Sequence, residues 1–203
     1  MDLQKAKTRL MAECSRREIS SGMARNKLIQ WLSKDSPLTE KLENEIKQTV
    51  ETLVKDKYID DSRFARAYTR DKLRFSKWGP DKILNGLSDA GVDKSIAEEA
   101  VKAEEDLALQ VLSDLLSKKK ADLQKKQEKK NAGAQSQIEA VSDQLKDAEY
   151  GKERASLQRK LYALRMKVGS SDIQIHQALV SYARGRGFTS AQIRDALKVC
   201  GTL

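Results

Sequence analysis

The chain is poor in the residues that break helices: among 203 residues there are two prolines and ten glycines. Long helices can therefore run uninterrupted, and a fold built of many short strands and turns is disfavoured. A single histidine, His176, excludes a histidine-based triad or a paired-histidine metal site within one chain. Two cysteines, Cys14 and Cys200, lie too far apart in sequence for any ligand spacing and are expected to be buried structural thiols in a cytoplasmic protein. No apolar run approaches the length of a membrane span, and the start MDLQKAKTRL is not a signal peptide. Phosphate-binding glycine loops, G-x-S-x-G and C-x-x-C are all missing. These gaps leave no catalytic constellation, metal site or cofactor site to assign, and an enzyme is disfavoured.

Charge is what the chain has in abundance. Charged residues make up 34% of it and the formal net charge is +9. An acidic partner is implied, with nucleic acid first. The charge is sorted into blocks of helix length. Residues 1–34 carry a net +5, 35–61 a net −4, 62–82 a net +5, 83–117 a net −6 and 118–130 a net +5. A merely solubilising surface would mix the signs. The sorting predicts a body with a basic face and an acidic face.

Two segments repeat one pattern, KILNGLSDAGVDKSIAEEAV and ALVSYARGRGFTSAQIRDAL. Aligned on Gly91 and Gly187, each has a helix that ends at a glycine suited to the left-handed conformation. One apolar residue follows, Val92 or Phe188, and then a capping residue, Asp93 or Thr189. A fainter copy begins at Ser20 or Ser21, which can cap a helix bearing Ala24, Leu28 and Leu32, before a long helix over about residues 39–57. The expected architecture is all-α: three tandem three-helix repeats, at 1–57, 58–106 and 107–203, forming an elongated curved body. The third is interrupted at about 118–158 by a helical hairpin arm, whose turn signal is NAGAQS at 131–136.

The segment YIDDSRFARAYTRDKLRFSKWGP carries the most distinctive chemistry. Asp60 or Asp61 can cap a helix. On an ideal helix Arg63, Arg66, Arg70, Arg74 and Lys77 fall within an arc of roughly 80°, and Phe64, Ala67, Tyr68, Phe75 and Trp78 within another of about 100°. The aromatic arc is expected to face the core. The cationic row spans about 16 Å and suits a run of phosphates or carboxylates, with arginine offering forked contacts. The bland alternative is a solvated face laced with pairs to Asp71 and Asp81.

The same segment resembles the RecX family of recombination regulators. The residues that carry the resemblance are Tyr58-Ile59, Asp60-Asp61, Arg63-Phe64-Ala65, Gly79-Pro80, Ile83, Leu87 and Gly91-Val92. The C-terminal Arg186-Gly187-Phe188 resembles the family's closing segment, and SRREIS its start, with Ile19 where the family has an aromatic residue. The 118–158 arm lies outside the resemblance. What it implies is a non-enzymatic protein that binds RecA recombinase filaments on single-stranded DNA and suppresses ATP hydrolysis and strand exchange, with no cofactor. A monomer with weak, electrostatic affinity for single-stranded DNA is expected. The candidate contacts to recombinase or DNA are Arg63, Arg66, Arg70, Arg74, Lys77 and Lys82, with Arg16, Arg17, Arg25, Arg184 and Arg186 beyond the central row. A general nucleic-acid-binding repeat, or an adaptor for acidic protein surfaces, would show the same charge without dependence on RecA.

Overall fold

A computed structural model describes residues 2–34, 37–148, 151–168 and 171–201. Among these residues the fold is all-α. Three helices come first: α1 (Leu3–Cys14), α2 (Ser21–Leu32) and α3 (Glu40–Lys55). Next come α4 (Asp61–Asp71), a π-helical turn (Lys72–Ser76), α5 (Pro80–Asp89) and α6 (Lys94–Lys102). The rest is α7 (Glu105–Asp147), α8 (Lys152–Val168), α9 (Ser171–Arg184) and α10 (Ser190–Val199). The chain divides into two compact units, one of residues 1–111 with 186–189, the other of residues 112–185 with 190–203.

The caps follow the sequence. The Ser20, Thr39, Asp60 and Asp93 side chains each accept a backbone N–H from the first turn of α2, α3, α4 and α6. Pro80 stands in the first turn of α5, where its missing N–H costs nothing. Helices α1–α3 enclose one core, with Leu10, Ile19, Leu28, Ile46 and Leu53 at 0–1% exposure. Helices α4–α6 enclose another around Phe64, Ala65, Leu73, Ile83 and Leu87.

Glycine brings backbone against backbone at two equivalent places in the first unit. Gly91, at φ 72°, ends the α5–α6 turn, and the turn abuts the start of α2. A Cβ on Gly22 would lie 2.6 Å from both the Ala90 oxygen and the Gly91 Cα. The buried Ser20 hydroxyl donates to the Ala90 carbonyl at 2.5 Å and accepts from the Met23 N–H, so one side chain caps α2 and holds the joint. Gly187, at φ 86°, meets the start of α5 in the same way. The Gly79 N–H donates to Arg186 O at 2.7 Å and the Asp81 N–H to Gly187 O at 3.0 Å. The two glycines on which the repeated segments align thus perform one structural task twice.

In the second unit α7 is tied at Lys120 to the end of α10. Lys120 Nζ donates to the carbonyls of Cys200 and Gly201 at 2.8 and 3.1 Å, and Lys119 lies 5.0 Å from the centre of the Tyr182 ring. Lys119 and Lys120 therefore contact α9 and the end of α10, although both fall within the expected arm. The hairpin itself differs from expectation. NAGAQS lies inside α7, which runs unbroken for 43 residues. One exposed glycine costs a helix about 1 kcal/mol, and side chains bridge the stretch: Gln127 to Asn131 at 3.0 Å and Ser136 to the Ala132 carbonyl at 3.2 Å. The chain reverses only after Asp147, where Arg154 donates to the Leu145 and Ala148 carbonyls at the open end of α7. Of the expected arm, residues 149–150 lie outside the described residues. Ile138 and Val141 of α7 pack with Leu164 of α8 in a small core of their own. The cysteines are half-buried rather than buried. Burial pushes the Cys14 thiol pKa up, as for an inert sulfur.

Two substitutions test this packing. Gly22→Ala drives a methyl into the Ala90–Gly91 backbone and is expected to destabilise the chain by about 1–3 kcal/mol. Thr69 is fully buried with no partner for its hydroxyl. Thr69→Val is therefore expected to be neutral or stabilising, since no hydrogen bond is lost. Denaturant melts followed by circular dichroism separate the outcomes. A stable Gly22→Ala protein would contradict the close approach.

Candidate functional site

The α4 segment has the largest concentration of cations in the first unit, and the structure sorts them into two sets. Asp60 caps α4 by accepting from the Arg63 N–H at 3.0 Å. That bond holds the Asp60 carboxyl below its usual range. Phe64, Ala65 and Thr69 are buried and Tyr68 is half-buried, its ring stacked on Phe64 at 5.7 Å between centroids. The buried face thus includes Ala65 and Thr69, whereas Ala67 is only half-buried.

The first three arginines of the row are engaged within the fold. Arg63 Nε lies 2.7 and 2.8 Å from the two Glu18 carboxylate oxygens, in the link between α1 and α2. Arg66 reaches Glu99 of α6 at 3.4 Å. Arg70 Nε bonds Glu104, whose side chain is only 11% exposed, just before α7. The partners are not Asp71 and Asp81, the acids near in sequence, but acids brought close by the packing of other segments. The bland reading is right that these arginines are paired and wrong about their partners.

Beyond Asp71 the geometry changes. The helix widens into the π-helical turn, and Lys77 takes the left-handed conformation at φ 55°. The Trp78 N–H closes back on Lys72 O at 3.1 Å. Leu73 is carried into the core at 1% exposure, and Phe75 is turned out to 80%. Phe75 was expected in the core on the assumption of a uniform α-helix, and the π-turn breaks that register. Trp78 stays half-buried between two ammonium groups, Lys72 at 4.7 Å and Lys82 at 4.6 Å from its ring centre. Among the described residues no carboxylate lies within 4 Å of Lys72, Arg74, Lys77 or Lys82. Lys72 joins this set without having been singled out in the sequence. It lies off the row on a straight helix, and only its position over Trp78 reveals it.

The remaining candidates are dispersed. Arg16 and Arg25 are exposed. Arg17 pairs with Glu13 at 3.1 Å, and Lys27 holds the same carboxylate at 2.9 Å. Those two cations, Lys27 first, lower the Glu13 pKa. Arg186 belongs to the first unit, in the turn bonded to Gly79. In the second unit Arg184 lines a groove of about 380 Å³ with Arg194 and His176, over Val180, Ile193 and Leu197. Arg194, followed directly by Asp195, was not singled out in the sequence. No group of three His, Cys, Asp or Glu among the described residues could hold a metal ion, and no described helix is long and apolar enough to cross a membrane.

Residues 60–101 match the family model of the second three-helix domain of RecX. Two solved structures share the fold. The crystal structure of RecX from Lactobacillus salivarius superposes with a TM-score of 0.55 at 18% identity, over 98% of this chain and 97% of that one. A crystal structure of regulatory protein RecX gives 0.51 at 15% identity, over 98% of this chain and 73% of that one. A search of curated proteins finds no match by sequence. The matched span is the one whose residues carry the resemblance, and the two solved structures share the fold of this chain.

The sorting of cations predicts a split among single reversals. Arg70→Glu faces the poorly exposed Glu104 with a second carboxylate and is expected to cost about 1–3 kcal/mol of stability. Arg74→Glu is expected to change stability by no more than about 0.5 kcal/mol. Equal melts would refute the distinction. Acid should also act through Asp60. Its folded pKa is depressed, so the stability of its cap is present above the ordinary value of 3.8 and is lost as pH falls through the lowered folded value. Asp60→Asn keeps an acceptor for the Arg63 N–H. It is expected to flatten the acid limb of a stability–pH curve, and an unchanged limb would assign that sensitivity elsewhere.

Proposed function

We propose that this chain, whose residues 60–101 match the second three-helix domain of RecX, is a regulator of homologous recombination. It binds RecA filaments on single-stranded DNA and inhibits their ATP hydrolysis and strand exchange. It acts as a monomer in the cytoplasm, as a binding protein without catalytic machinery or cofactor. The observation that carries this reading is the cationic row of α4, set in the segment that matches the family. Its first half is engaged in ion pairs to Glu18, Glu99 and Glu104, and in its second half Arg74 and Lys77 have no carboxylate within 4 Å among the described residues. A partner that presents phosphates or carboxylates at helical intervals complements the unpaired half without first breaking internal bonds.

DNA-dependent ATPase activity of the cognate recombinase is the direct test. The protein is expected to lower it, together with strand exchange, below stoichiometric amounts. No change in either at protein equal to recombinase would sink the proposal. The double variant Arg74→Glu/Lys77→Glu should stay folded and need at least about tenfold more protein for the same inhibition, because each charge-assisted contact contributes roughly 1.5–3 kcal/mol. Inhibition at parental potency would move the contact to another surface.

A further inference from the structure

A phenylalanine at 80% exposure in a chain with only three of them requires a reason. Phe75 is not a loose end. It is displayed by a π-helical turn closed by a lysine at positive φ, a backbone state that side-chain-bearing residues rarely adopt. An ordinary α-helical turn would avoid that state. π-turns within α-helices recur at functional sites. The neighbouring indole of Trp78 has cations on its ring, Lys72 and Lys82, so it is not free to stack on anything else. Phe75 has no aromatic or cationic partner among the described residues. Arg74 and Lys77 flank it in the chain with no carboxylate within 4 Å.

An unpartnered ring in one segment with four cations that have no carboxylate within 4 Å among the described residues, two of them also lying over the Trp78 ring, has the chemistry of a single-stranded nucleic-acid site. Every base offers a π-face to an aromatic side chain, and every linkage offers a phosphate to a cation. We propose that Phe75 is a stacking platform for an unpaired base of single-stranded DNA, with Lys72, Arg74, Lys77 and Lys82 taking the adjoining phosphates. The affinity for single-stranded DNA is then not purely electrostatic, as the sequence suggested, but carries a base-dependent part. This rests on the reading that the protein acts where single-stranded DNA is present, and it assigns to one residue a contact that the charge pattern alone does not require.

The test uses the 203-residue chain, first with DNA alone and then in the recombinase ATPase assay. Fluorescence anisotropy measures binding to a labelled thymidine 20-mer and to an abasic 20-mer with the same phosphates. Phe75→Ala is expected to weaken binding to the thymidine strand by about 5- to 150-fold, the size of one stacked base. Binding to the abasic strand and the salt slope should stay as in the parent. Phe75→Trp should restore thymidine-strand affinity. Arg74→Glu/Lys77→Glu should weaken both strands and shrink the salt slope. A Phe75→Ala protein that binds the thymidine strand as well as the parent overturns the proposal. So does a parent that does not distinguish the two strands. If Phe75→Ala instead loses recombinase inhibition with DNA binding intact, the ring contacts protein and the base platform is refuted. Stacking on DNA by a parent that fails to inhibit recombinase would refute the regulatory reading and leave this one standing.

Discussion

Backbone approaches backbone at two joints in the first unit, and the arrangement of that unit depends on them. At each, a helix–helix turn that ends in a left-handed glycine sits against the start of another helix, Gly91 on Gly22 of α2 and Gly187 on Gly79 and Lys82 at the start of α5. No side chain separates the partners, so the joint has little room to slide. Hydrogen bonds fix it further: Ser20 to Ala90 in one case, Gly79 and Asp81 to Arg186 and Gly187 in the other. The Ser21 N–H and hydroxyl add bonds to the Asp61 carboxylate at 2.7 and 2.5 Å, which links the starts of α2 and α4. The orientation of α4, and with it of the cationic row, is set by these contacts rather than by α4 alone.

The row then has two tasks, divided along its length. Arg63, Arg66 and Arg70 tie α4 to the α1–α2 link, to α6 and to the start of α7. Such exposed pairs contribute little individually, commonly below about 1 kcal/mol, yet they fix the arginine heads in place. At Lys72 the hydrogen-bond pattern changes, and Arg74 and Lys77 have no acid within 4 Å among the described residues. Stability and binding thereby fall on adjacent turns of one segment. A single helix of constant pitch would have put Phe75 in the core and kept all the arginines on one face.

Much of this is legible in the sequence because it is local. Scarcity of proline and glycine dictates helices, Ser20 or Ser21, Asp60 or Asp61, and Asp93 mark their starts to within a residue, and the spacing about Gly91 and Gly187 shows the repeat before any coordinates exist. A glycine needed at positive φ, or a carboxylate that accepts from the third N–H of a helix, answers to neighbours within a few residues. The motif about residues 58–92 could suggest a family for the same reason: it is one contiguous stretch.

What depends on distant residues was not legible. NAGAQS has turn chemistry, but a long helix tolerates one glycine, and the actual reversal is at the end of α7. The partners of Arg63, Arg66 and Arg70 lie 45, 33 and 34 positions away, beyond any rule of helical spacing. The exposure of Phe75 follows from a change of pitch that periodicity, which assumes a constant 3.6 residues per turn, cannot express. Sequence alone determined the helices, their caps and the sign of the charge, because each is settled by contacts within one or two turns. Only the tertiary structure decided which cations are bound and which are free, because an ion pair forms where packing brings two distant side chains within reach.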